Sequence, residues 1–67
     1  MFTIEVEQED DGRWIAEVLD LPGVIGYGQT RQEAIERVQA LSLRVLADRL
    51  EHGEVVPGMT TVFAITP

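Results

Sequence analysis

The sequence predicts a two-layer α/β domain with the element order β-β-β-α-β, in which one helix covers one face of a mixed four-stranded sheet. Three observations carry this. Two runs of alternating apolar and polar residues flank Asp10-Asp11-Gly12. A Leu-Pro-Gly segment at 21–23 separates them from a short glycine-containing run. A Thr-x-x-Glu box at 30–33 opens a long stretch without glycine or proline, and a β-branched and aromatic segment follows it.

In the first run, Phe2, Ile4 and Val6 alternate with Thr3, Glu5, Glu7 and Glu9. Side chains of a strand point alternately to opposite faces, so this is a half-buried strand. Gly12 tolerates positive φ and suits the hairpin turn. In the second strand, Arg13 to Leu19, Trp14, Ala16 and Val18 form one face while Ile15, Glu17 and Leu19 form the other. Pro22 and Gly23 match the central positions of a type II turn, and Val24 to Tyr27 reads as a short third strand.

Thr30 and Glu33 have the form of a capping box, with Thr30 accepting from a first-turn amide and Glu33 reaching back to the Thr30 amide. The helix runs to about Glu51, and Gly53 is a natural stop. Ala34, Ile35, Val38, Leu41, Val45 and Leu46 form its stripe toward the sheet. Leu43 and Leu50, with Ala47, widen that stripe beyond what one sheet face covers. Either the loop at Pro57-Gly58 folds over them or a second chain does. Leu43, Ala47 and Leu50 are therefore the candidate contacts of a homodimer or higher oligomer. After Pro57-Gly58, Thr60 to Thr66 reads as a fourth strand, joined to the sheet by a right-handed crossover.

Sixty-seven residues make one domain, 1–67, and a small one. Small domains commonly rely on disulfides, a metal or a second copy of themselves. There is no cysteine and one histidine, His52, which excludes disulfides and thiolate metal sites and leaves self-association. No cofactor and no metal are expected. The N-terminus has neither a basic start nor a long apolar core, so the expected location is cytoplasmic. Twelve acids against five arginines, with no lysine, give a net charge of −7. Such a body repels phosphate backbones, so direct nucleic-acid binding is not expected, and it attracts basic partners.

Residues that could carry chemistry have simpler roles. Asp10-Asp11 could hold magnesium, but in this position the pair is first a hairpin turn. Gly23, Gly26 and Gly28 have the wrong spacing for a dinucleotide fingerprint or a P-loop. His52 stands where a helix C-terminus favours a cation, and Trp14 alternates with core residues. A magnesium-dependent nuclease needs several acids converging in a cleft, whereas Glu33, Glu36 and Asp48 belong to an exposed helix face. The expectation is no enzyme. What remains is the uncovered sheet face, where Glu5, Glu7, Ile15, Glu17 and Leu19 interleave acids with large apolar groups as in a protein-binding surface. Val62 joins them if Phe63 and Ile65 pack inward.

The pattern Asp11-Gly12, Trp14, Ala16, Val18, Leu21-Pro22-Gly23-Val24, Gly28, Thr30 and Glu33-Ala34 resembles the HicB-like antitoxin family over nearly the whole chain. The likeness is to the family's N-terminal domain, a shortened ribonuclease-H-like unit that is not itself a nuclease. It implies a strand order of 3-2-1-4, with the last strand parallel to the first. It also implies a role in neutralising a small, basic, mRNA-cleaving toxin of the HicA type by occluding its active site. Many family members add a C-terminal DNA-binding segment; here the fourth strand closes at Pro67 and no separate DNA-binding domain is expected. The alternative function is a stand-alone structural or regulatory homo-oligomer without a toxin partner.

Overall fold

The computed structural model describes residues 2–56 and 58–67, together with the side chains of all of these except Thr60. Met1 and Pro57 lie outside the described residues, so the turn expected at Pro57-Gly58 is described only from Gly58 onward. Three strands come first: β1 (Ile4–Gln8), β2 (Trp14–Val18) and β3 (Ile25–Gly28). They form one antiparallel sheet in the order β1-β2-β3. The long helix α1 (Arg31–Glu51) lies across one face, and a single helical turn, α2 (Met59–Val62), follows near the C-terminus.

Local chemistry sets each connection. The Gly12 amide donates to the Glu9 carbonyl and the Glu9 amide to the Arg13 carbonyl, at 3.0 and 2.7 Å. With Gly12 at φ +92°, this is a three-residue hairpin loop ending in a glycine bulge. At the next corner the Val24 amide donates to the Leu21 carbonyl at 3.1 Å. Gly23 takes φ +85° there, which is the type II turn that Pro22-Gly23 predicts.

The Thr30 hydroxyl accepts from the Glu33 amide at 3.0 Å and caps α1. Glu33 does not reach back to the Thr30 amide. Its carboxylate lies 3.3 Å from the Gln29 amide and 3.1 Å from the Arg37 guanidinium. At the other end the Gly53 amide bonds Leu50 and the Glu54 amide bonds Arg49. This pair of bonds, with Gly53 at φ +76°, is a Schellman motif that satisfies two carbonyls at the helix end. The His52 ring Nδ1 lies 2.7 Å from the Asp48 carbonyl oxygen.

Alternation places Ala16 and Val18 of β2 beneath α1, together with Leu21 and Val24 of the connecting turn. From the helix, Ala34, Val38, Ser42 and Leu46 face them at four-residue spacing. Ser42 is the one polar member of this buried row, and its hydroxyl donates to the Val38 carbonyl at 2.6 Å, so its burial leaves no hydrogen bond unmade. The helix packs mostly over β3 and β2 and least over β1, so Phe2, Ile4 and Val6 stay half-buried.

The four-stranded mixed sheet in the order 3-2-1-4 is not formed. Thr60 to Thr66 makes no strand: its first residues belong to α2, and residues 63–67 are neither helix nor strand. The sheet is three-stranded and wholly antiparallel. The reason lies in local hydrogen bonding. The Thr61 hydroxyl and amide both donate to the Gly58 carbonyl, at 2.6 and 3.1 Å, and the Phe63 amide donates to the Met59 carbonyl. Such side-chain-to-backbone bonds close a helical turn where β-propensity alone would extend the chain. Phe63 and Ile65, expected to pack inward, are exposed, and Val62 is on α2 and not on the sheet.

The helix approaches β3 closely because Gly26 and Gly28 carry no side chain. A methyl group at Gly28 would stand 2.5 Å from the Ala34 nitrogen and 2.9 Å from Glu33 Cβ; at Gly26 it would stand 2.8 Å from the Val38 nitrogen. These obstacles are mostly helix backbone and Cβ atoms, so the helix itself would have to move. Gly28→Ala is therefore expected to lower stability by roughly 1–3 kcal/mol. Urea unfolding followed by far-UV circular dichroism checks this.

Candidate functional site

The face of the sheet turned away from α1 is built by the same alternation that fills the core. On β1 it presents Glu5 and Glu7, both exposed; on β2 it presents Ile15 and Glu17, both half-buried. Strand pairing brings them into rows. Glu5 lies directly opposite Glu17, and Glu7 directly opposite Ile15. Leu19 stands just past the end of β2, half exposed, with its amide bonded to the Thr3 carbonyl at 3.0 Å. All five sequence-predicted residues therefore belong to this one face of the hairpin.

Two further residues on this face were missed from the sequence. Ile25 is the partner of Glu17 and Tyr27 the partner of Ile15 on β3. The rows are thus Glu5–Glu17–Ile25 and Glu7–Ile15–Tyr27. A signal for them exists: Gly26 and Gly28 have to face the helix, so their neighbours Ile25 and Tyr27 have to face outward. Val62, a conditional member of the surface, is not on it.

Charge on this face is one-sided. Arg13, at the hairpin end of β2, is held by Asp11 at 2.8 Å and stacks over the Tyr27 ring at 5.4 Å from its centroid. The Arg13 amide, 3.0 Å from the other Asp11 oxygen, and then its guanidinium hold the Asp11 carboxyl below the usual carboxylate range. Asp11 is therefore engaged in the turn. Among the described residues, Glu5, Glu7 and Glu17 enter no ion pair. Nor does any group of three or more His, Cys, Asp or Glu side chains there stand close enough together to hold a metal ion.

The opposite side of the molecule holds the second set of predicted residues. Leu43 and Leu50 are 68% and 47% exposed, and Ala47 is exposed between them. Gly58 and the residues after it leave Leu43 open. Leu43 instead borders an apolar groove of about 430 Å³ between α1 and the inner side of β1, lined also by Phe2, Ile4, Val18, Gln39, Ser42 and Leu46. No helix of the described residues is long and apolar enough to cross a membrane.

No protein-family model matches the chain, and no curated protein matches it. Among solved structures, it is similar to the crystal structure of the N-terminal domain of Burkholderia pseudomallei antitoxin HicB. The TM-score is 0.78 at 27% sequence identity, covering 98% of this chain and 72% of that one. In fold, and along nearly its whole length, the chain resembles the N-terminal domain of a HicB antitoxin.

Proposed function

We propose that the chain is an antitoxin-like binding protein of the cytoplasm, not an enzyme, which neutralises a small, basic, mRNA-cleaving toxin of the HicA type. In this reading the outer sheet face docks on the toxin's cationic RNA-binding surface. Glu5, Glu7 and Glu17 meet the cations, while Ile15 and Leu19 act as apolar anchors. Occlusion of the toxin's active site is then steric and electrostatic. Charge complementarity mainly sets the association rate, and the anchors set the residence time.

The observation that carries this reading is the direct cross-strand pairing of Glu5 with Glu17. Directly opposed side chains on neighbouring strands stand roughly 5 Å apart, and like charges so placed destabilise a sheet. No cation of the described residues relieves them. A basic partner would turn that repulsion into attraction, so the pair works against the free protein and for the complex. The structural similarity to an antitoxin domain supports the same role.

A second reading, a homo-oligomer without a toxin, draws on the exposure of Leu43 and Leu50 beside Ala47. Exposed leucines at this spacing on one helix form a seam that a second copy could cover.

Replacing Glu5, Glu7 and Glu17 together by lysine is expected to slow association with a HicA-type toxin by about tenfold or more at low ionic strength and to flatten its salt dependence. Surface plasmon resonance over a salt series reads both, and unchanged kinetics would rule this face out. Glu17→Thr alone is expected to stabilise the free protein by roughly 0.2–1 kcal/mol, seen as a higher urea midpoint at constant slope. For the helix seam, Leu43→Glu should yield a one-chain mass by light scattering; the parent's mass in that variant would exclude the contact.

A further inference from the structure

The molecule is more extended than its length requires. Its radius of gyration is 13.9 Å, with principal extents of 51 × 21 × 15 Å, whereas a compact chain of this size has about 11 Å. Among the described residues, Val56 is the last buried one, and no backbone hydrogen bond ties 64–67 to the rest. Phe63 begins this segment in extended conformation. Val62, Phe63 and Ile65 leave 64%, 67% and 95% of their surface open. Phe63 and Ile65 border Leu50 of α1 and Met59 without being covered there, and apolar side chains left so open to water favour burial elsewhere.

We infer that the arm is an exchange element between two copies: Phe63 and Ile65 of each copy seat in the groove between β1 and α1 of the other. The groove lined by Phe2, Ile4, Val18, Gln39, Ser42, Leu43 and Leu46 has room for large side chains and no charged residue in its walls. The arm is its chemical match, since from Val55 to Pro67 no side chain is charged. This identifies the occupant. A basic partner would be drawn to acids, and the groove has none. Two bodies of net charge −7 repel each other, so contact between copies is favoured through neutral segments such as these.

The area is sufficient. The three open arm side chains present on the order of 400 Å² of apolar surface. Two arms and two grooves together reach roughly 1,000 Å², the lower limit for a specific interface. Reciprocal seating has two-fold symmetry and closes on itself, so it stops at two chains. It does not rest on the toxin-binding reading, whose surface is the opposite face of the sheet.

Light scattering on the chain of residues 1–67 tests the exchange. The parent should show a two-chain mass. The double variant Phe63→Asp/Ile65→Asp should show a one-chain mass with unchanged far-UV circular dichroism, since both side chains are exposed in the single chain. Because the chain has no cysteine, introduced thiols report contacts directly. Mixing a Phe63→Cys chain with a differently tagged Leu43→Cys chain under mild oxidation should give mainly the mixed disulfide. A one-chain mass for the parent would overturn the exchange. So would a two-chain mass in the aspartate variant, which would leave the helix seam as the contact. A disulfide forming only within a chain carrying both cysteines would place each arm in its own groove and overturn it equally.

Discussion

The close seating of α1 on β3 is the constraint from which the rest of the molecule follows. Gly26 and Gly28 bring helix backbone to within ordinary side-chain distance of strand backbone. Ala16 and Ala34, both fully buried, keep the next layer equally thin. Close packing of small residues ties the helix to one side of the sheet. With a single long helix anchored over β3 and β2, the inner side of β1 receives little cover. The half-buried state of Phe2, Ile4 and Val6, and the groove beside them, are consequences of that off-centre seat.

The same geometry separates two surfaces of different character. The outer face is acidic, with Ile15, Ile25 and Tyr27 set among Glu5, Glu7 and Glu17, which pair with no cation among the described residues. The groove and the arm on the helix side are apolar and carry no charge. A chain of 67 residues with so small a core has little free energy to spare. That it keeps opposed carboxylates on one side and open apolar groups on the other fits a protein whose free form is not its working form.

Much of the fold was legible because it is local. Asp-Asp-Gly, Leu-Pro-Gly and the threonine cap each act within four residues, and each does so in the structure as the sequence implies. The five residues named for the outer face were legible for the same reason, since alternation needs no knowledge of distant partners. Ile25 and Tyr27 escaped because their orientation depends on which face of β3 the helix takes.

The sequence by itself determined the three strands, their turns, the span of the helix and the two-sided character of the hairpin, all through nearest-neighbour sterics and hydrogen bonds. The fate of Thr60 to Thr66 turned on a local hydrogen-bonded turn that β-propensity does not reveal, and tertiary structure decided the pairing of Glu5 with Glu17. A β-branched run becomes a strand only where a neighbouring strand offers its backbone; in this chain Gly58 and Thr61 close a helical turn first. The opposition of two glutamates twelve positions apart is a matter of register, which is set by the hairpin loop and the packing of both strands against the core.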